Sequence, residues 1–398
     1  MFFVNVDKHF TREGHLMGDS NQKEFRVGMI GYGFMGRAHS QAWRNVNAAF
    51  PTPRIHMESI VGRDADAVAR AAAQLGWHRS HTDWREVVAD PSIDIIDICT
   101  PGDSHAEIAI AALEAGKHVI VEKPLANSME ESRAMVAAAQ SAAAKGIMSA
   151  VNFNYRRVPA LMLAKRLIDD GRVGEVLHIR GAYLQDWLSD PNLPMSWRLV
   201  KERAGTGVLG DLGAHVVDLM RHLAGKDVEG VTGHLRTFTH QRPDGSGGHG
   251  TVTVDDAALA TLALTGGAVA NLDVTRNAPG RKNELSLSIF GTKGSIMFNL
   301  ENLNELWMFD REDPSGEQGY RRILVTESAH PYLSAWWPDG HIIGWEHTFT
   351  HQFFEFLTSI ENGTPASPSF DDGHAVQAVI EAIAASAENG HVLTAPEE

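Results

Sequence analysis

From residue 25 to about residue 151, short apolar runs alternate with helical stretches of mixed polarity. Residues 25–30, 55–61, 93–99, 118–121 and 147–151 read as strands, dense in Ile, Val and other apolar residues. The run 93–99 has the character of a strand buried on both faces. Helical patterns fill the gaps at 37–46, 65–75, 104–115 and 128–144. Repeated strand–helix–strand units predict a parallel, doubly wound sheet.

Beyond residue 152 the pattern changes. Residues 159–169 form one helical stretch, and 176–183 is extended. The runs 258–264 and 268–274 flank Thr265-Gly266-Gly267, and 285–290 and 295–299 flank Gly291-Thr292-Lys293-Gly294. Glycine-containing connectors between such runs favour antiparallel pairing. Helices near 345–360 and 373–387 close the chain. The fold class is therefore α/β: an N-terminal Rossmann domain over 25–151, then an α+β domain over 152–398 with a large, mostly antiparallel sheet. Residues 1–24, polar and mixed in charge, read as a flexible extension, with Met17 an alternative start. Residues 245–250 read as a flexible glycine-serine loop. The loop 331–340, with Trp336 and Trp337, reads as an aromatic cover for a site.

Composition narrows the picture. The 398 residues suffice for two ordinary domains. A formal charge of -15 disfavours a general nucleic-acid role. The single cysteine, Cys99, excludes an internal disulfide and reads as a buried thiol. No stretch is long and apolar enough to span a bilayer, and residues 1–24 lack the apolar core of a signal peptide. A cytoplasmic location without membrane partners is the expectation.

Gly31-Tyr32-Gly33-Phe34-Met35-Gly36 follows a strand and opens a helix. In that context G-x-G-x-x-G predicts a dinucleotide site. Gly31 permits the turn, Gly33 lets the backbone approach a pyrophosphate, and Gly36 allows close helix packing. The helix start offers free N–H groups to phosphate. An acid at the end of the second strand normally holds the ribose hydroxyls of NAD. Gly62 stands there, followed by Arg63 and Asp64. Arg63 suits the 2′-phosphate of NADP or a capping role, while Asp64 or Glu58 would serve NAD. The ends Cys99-Thr100-Pro101 and Glu122-Lys123-Pro124 should converge on the glycine turn, since ligands bind outside the carboxyl edge of a parallel sheet. A salt bridge is the competing role for Lys123. The Lys-Pro bond is a candidate cis peptide.

A glycine-rich segment then leads through Asp211 and His215 to Asp218. Asp211 and His215 are four apart and share a helical face. A histidine beside a carboxylate suits a general base, which alcohol oxidation requires. Lys123 would polarise the substrate oxygen. Two other readings stand beside this one: a satisfied core histidine, or a metal set of Asp211, His215 and Asp218. The second lacks a further histidine or cysteine cluster, so no metal is expected.

These motifs together resemble the glucose-fructose oxidoreductase, inositol dehydrogenase and rhizopine-catabolism (Gfo/Idh/MocA) family. The likeness is carried by Gly31–Gly36 with Ala38-His39, by Thr100-Pro101 through His105, by Glu122-Lys123-Pro124, and by Gly210-Asp211-x-Gly213-x-His215-x-x-Asp218. The resemblance implies Lys123, Asp211 and His215 as catalytic residues, with His215 the proton acceptor. It implies Gly31, Gly33, Phe34, Met35, Gly36, Arg63, Thr100, Pro101, His105, Glu122 and Lys123 around the cofactor. It also places the start of a substrate pocket at Tyr155, Arg156 and Arg157. Gln185, Asp186, Trp187 and Trp197, with Arg198 and the run Thr275-Arg276-Asn277, resemble the branch acting on levoglucosan, L-glucose and scyllo-inositol. Tryptophans and hydrogen-bonding groups suit sugar rings.

The expected activity is oxidation of a secondary hydroxyl on a sugar, anhydrosugar or cyclitol. The cofactor is NAD or NADP, with NAD favoured by the branch. A homodimer or homotetramer through the C-terminal sheet is implied. The alternatives are an enzyme that oxidises its substrate transiently, a biosynthetic oxidoreductase acting on aminosugars or glycosides, and a non-catalytic nucleotide sensor.

Overall fold

The computed structural model describes residues 23–397. Most of the expected N-terminal extension, Met17 included, lies outside the described residues. Its predicted end at residue 24 moves inward, since Glu24 already belongs to the first strand.

The first half is built from β1 (Glu24–Ile30), α1 (Phe34–Ala49), β2 (Arg54–Val61), α2 (Ala65–Leu75), β3 (Arg79–His81), α3 (Trp84–Ala89), β4 (Ile95–Ile98), α4 (His105–Glu114), β5 (His118–Val121), α5 (Met129–Ala143) and β6 (Ser149–Val151). The six strands form a parallel sheet in the order β3-β2-β1-β4-β5-β6. Local chemistry sets the boundaries. Asp64 accepts the Ala67 N–H to start α2, and Gly76 ends it in the left-handed region at φ 81°. Ser128 caps α5 through the Glu131 N–H. β4 is buried along its whole length, as its central place requires.

The second half contains α6 (Pro159–Asp169), β7 (Val176–Leu184), α7 (Lys201–Ala204), α8 (Ala214–Ala224), β8 (Val228–Arg236), β9 (Gln241–Pro243), β10 (His249–Thr251), β11 (Ala257–Leu264), β12 (Val269–Thr275), β13 (Glu284–Gly291), β14 (Gly294–Asn299), β15 (Glu305–Asp310), β16 (Arg321–Leu324), α9 (His347–Asn362) and α10 (Phe370–Glu388). Eight strands form one sheet in the order β16-β15-β14-β13-β7-β12-β11-β8. Its pairings are antiparallel except β7 with β12. Along β11 and β12 buried and open positions alternate, so only one face meets the helices.

α9 departs from a simple division of the chain. Its Phe349, Phe353, Phe356, Leu357 and Ile360 join Trp43, Val46, Ile60 and Ile95 in a single apolar cluster. The chain's closing region thus returns to cover one face of the parallel sheet beside α1. Two loop expectations change. Residues 241–251 form a β9–β10 hairpin whose turn is tied by the Asp244 carboxylate to the N–H groups of Ser246 and Gly248. The loop 331–340 packs on the same side as α9, where Trp336 meets Phe50 and donates to His351. It therefore does not cover the ligand cleft.

Candidate active site

The carboxyl edge of the parallel sheet and the start of α8 enclose a cleft of about 1280 Å³. The glycine turn forms its floor. Gly31 has φ +100°, and a Cβ on Gly36 would sit 2.3 Å from the Gly31 carbonyl oxygen. A Cβ on Gly33 would meet nothing within 4 Å, so its backbone faces open space. That open backbone at the start of α1 fits a dinucleotide pyrophosphate. Phe34, Met35, Arg63, Thr100, Pro101, Glu122 and Lys123 also line the cleft.

The chemical wall is Lys123, Asp211, His215 and Arg276. Lys123 follows β5, and its bond to Pro124 is cis. Its Nζ donates to the Asp211 carboxylate at 2.8 Å and to the Asp211 carbonyl at 2.9 Å. Arg276 donates to the other carboxylate oxygen at 2.5 Å. Asp211 lies in a wide helical turn, Leu209–Gly213, that leads into α8. The Asp255 carboxylate ties the start of this segment by accepting from Gly207 and Leu209 N–H groups. Burial opposes the charge of Asp211, yet Lys123, Arg276 and Arg198 hold its carboxyl well below the usual range.

His215 is buried, with its ring against Tyr155 at 4.5 Å. Burial and the nearby Lys123 charge push its pKa well below the ordinary histidine value, and Asp211 only partly opposes them. No hydrogen bond joins Asp211 to His215 among the described residues; the carboxylate is taken by the two cations instead. The expected carboxylate–histidine pair is thus coupled through charge alone. The neutral imidazole that results is able to accept a proton. Its Nδ1 is buried without a protein partner, as are Nε and Nη1 of Arg276.

A polar chain continues from this wall. Tyr155 and Tyr183 share a hydroxyl contact at 2.9 Å. Tyr183 and Gln185 both donate to Asn283, and Trp187 donates to Gln185. Trp345 donates to the Tyr155 hydroxyl and stacks on Phe34 at 5.6 Å. Trp197 carries Arg198 over its ring at 4.5 Å. Aromatic faces and hydroxyl-binding groups thus stand together on one side of the cleft.

Several expected site residues lie elsewhere. Arg156 is buried against Asp218 and Asp372, so its guanidinium is spent inside the protein. That pair also removes Asp218 from any ligand set with Asp211 and His215. Arg157 donates to Gln352 and to the Ser367 carbonyl. Asp186 turns to Lys282 at 2.6 Å and does not line the cleft. His105 is buried beneath it, bridging the carbonyls of Thr100 and Pro124. It can shape the cofactor loops but does not reach a ligand. Glu58 faces away from the cleft in ion pairs with Arg26 and Arg79.

Residues 25–150 match the family model "Oxidoreductase family, NAD-binding Rossmann fold", and residues 161–297 match "GFO/IDH/MocA C-terminal domain". The chain is 41% identical to levoglucosan dehydrogenase of Pseudarthrobacter phenanthrenivorans, across 94% of this chain and 99% of that protein. It belongs to the Gfo/Idh/MocA family of oxidoreductases. An oxidoreductase domain protein from Kribbella flavida superposes with a TM-score of 0.92 at 49% identity, covering 94% of this chain and 100% of that one. Levoglucosan dehydrogenase in complex with NADH and levoglucosan gives 0.91 at 42%, with the same coverages.

For a Gfo/Idh/MocA oxidoreductase, the glycine turn, the Thr100 and Lys123 strand ends and the open backbone at Gly33 fit the NAD that its N-terminal domain binds. Sequence reasoning did not single out Asn283 or Trp345 for this site, and it named Arg276 without its role as a clamp on Asp211. Asn283 and Trp345 belong to no motif and reach the cleft only through the fold. Arg276 follows β12 directly in the run Thr275-Arg276-Asn277, and a strand-end cation was a second signal of its role.

Proposed function

We propose that this chain oxidises a secondary hydroxyl of a sugar, anhydrosugar or cyclitol to a ketone, with NAD as hydride acceptor. The carrying observation is the buried His215, its Nδ1 without a protein partner, on the same cleft wall as Lys123. A bound nicotinamide supplies the acceptor for the hydride leaving the carbon. His215 takes the hydroxyl proton. Lys123 hydrogen-bonds the same oxygen and stabilises the negative charge that develops there. Asp211, gripped by Arg276, holds Lys123 in place. Trp187, Trp197 and Trp345 supply faces for a sugar ring, and Gln185 and Tyr155 supply partners for its hydroxyls. The substrate class also accords with the levoglucosan dehydrogenase relative.

In this reading residues 25–151 hold the dinucleotide and residues 152–398 the substrate. The enzyme works in the cytoplasm as a homodimer or homotetramer. The open face of the large sheet supports the association, since Leu259, Val269, Trp307 and Leu324 stand exposed on it. Purified protein is to be mixed with NAD and a panel of levoglucosan, inositols, D- and L-glucose and aminosugars, with absorbance of reduced nicotinamide as readout. Reduction with at least one polyol supports the proposal. Silence across the panel, with NAD binding shown separately, defeats it in favour of transient oxidation or a biosynthetic substrate.

A further inference from the structure

At the adenosine end of the cleft, past the end of β2, the usual acid for ribose hydroxyls is missing for a steric reason. A Cβ on Gly62 would lie 1.9 Å from the Tyr32 ring. With Tyr32 in place, position 62 has no room for an acidic side chain. The neighbouring carboxylates have structural roles, Asp64 through one of its two oxygens. Asp64 accepts the Ala67 N–H at 2.7 Å as the cap of α2. Asp83 caps α3 and pairs with Arg85. Glu58 lies away from the cleft, bound by Arg26 and Arg79. Arg63 differs from all of these. Like Asp64 it is exposed and lines the cleft, but it alone takes part in no side-chain hydrogen bond or ion pair among the described residues.

An unpaired guanidinium where a ribose-binding acid would stand is the arrangement that accommodates a 2′-phosphate. Arginine presents several donors in a planar fork that matches phosphate oxygens. We propose that this site accepts the 2′-phosphate of NADP(H) on Arg63, so that the chain binds NADP(H) as well as NAD(H). The inference rests on the dinucleotide reading of the cleft and is independent of the sugar.

The test is a fluorescence titration of the full chain with NADPH and with NADH, no sugar present, using tryptophans such as Trp84 and Trp345 that line the cleft. We expect a Kd for NADPH within about tenfold of that for NADH, weakening more steeply as salt is raised. In Arg63→Ala the ratio of the NADPH to the NADH Kd should rise by roughly tenfold or more. A wild-type Kd for NADPH weaker than that for NADH by more than about tenfold overturns the proposal. An unchanged ratio in Arg63→Ala, as expected if Arg63 merely stacks on adenine, overturns it too. Either failure leaves the proposed sugar oxidation standing, because that reading is tested with substrate and NAD.

Discussion

Two charged clusters lie close together beside the glycine turn, and they are built on opposite principles. In the first, His39 sits on α1 between Asp97 of β4 and Glu122 after β5. Its Nδ1 contacts Asp97 at 2.9 Å and its Nε2 contacts Glu122 at 2.8 Å. Trp43 adds a donor to Asp97, and Asn152 adds one to Glu122. Cys99 leans on the same imidazole, and burial pushes its thiol pKa up. His39, Asp97 and Cys99 also bring ligand-type atoms within 4.8 Å of one another, but hydrogen bonds engage each of the three side chains. In the second cluster, Lys123 and Arg276 grip Asp211, while His215 and Arg276 keep buried nitrogens without protein partners. Apart from the buried Asn152 Oδ1, which has no partner, the first cluster spends its polar capacity on joining α1, β4 and β5. The second holds some in reserve, facing the cleft. Satisfied polar networks rigidify a core, and unsatisfied donors mark where a ligand belongs.

The contrast predicts different failures. The largest effect belongs to Lys123→Ala and His215→Ala, each expected to lower kcat by about 100- to 10,000-fold with little change in melting temperature. Steady-state kinetics and thermal melts of both variants check this, and near-normal turnover would dissolve the distinction. His39→Ala should fail in the opposite sense. It leaves Asp97 and Glu122 without their shared cation, at a cost of about 3–5 kcal/mol in denaturant unfolding.

Arg276→Leu comes next. It frees one Asp211 oxygen and loosens Lys123, so kcat should fall by roughly up to a hundredfold. Arg276→Lys should recover part of that loss, which a purely structural role would not require. The two histidines also divide by pH. Burial works against a charge on His39, but Asp97 raises its pKa well above the ordinary value. Its contribution to stability is therefore complete below about pH 6.5 and lost as pH rises through the raised value. His215 is shifted the other way and stays neutral as pH falls past about 6.5. The acid limb of kcat/KM should accordingly appear only below that pH, and a break near or above it would contradict a neutral base. The smallest effect is expected from Asp186→Asn, at a residue that does not line the cleft and pairs with the exposed Lys282 at its rim. Its kinetics and melting curve should overlay those of the parent.

The parallel sheet was largely legible because its strands are short apolar runs separated by amphipathic helices. α2, β5 and α6 fall at the expected residues. Missed elements have polar or very short sequences. β3 is Arg-Ser-His, and β9 is Gln-Arg-Pro, so neither offers a hydrophobic period. α3 is only six residues long. β15 does alternate, with Leu306 and Met308 buried, and Asp313-Pro314-Ser315-Gly316 follows it as a turn signal, so its pattern was there to be read. In the site, motifs located Lys123, Asp211 and His215. Arg156 shows the boundary of such reasoning. A guanidinium beside a pocket tyrosine looks alike whether it meets a ligand or an internal acid, and only the fold brings Asp218 and Asp372 to it.

The return of α9 to the parallel sheet has a consequence for how the molecule is made. A ribosome releases β1 through β6 first, yet the face under Trp43 and Ile60 has no Phe349, Phe353 or Phe356 until the whole large sheet has been made. Truncating the protein after β6 would leave that surface bare and prone to aggregate. The nucleotide half therefore reaches its full covering only after α9 has been made, long after its own strands.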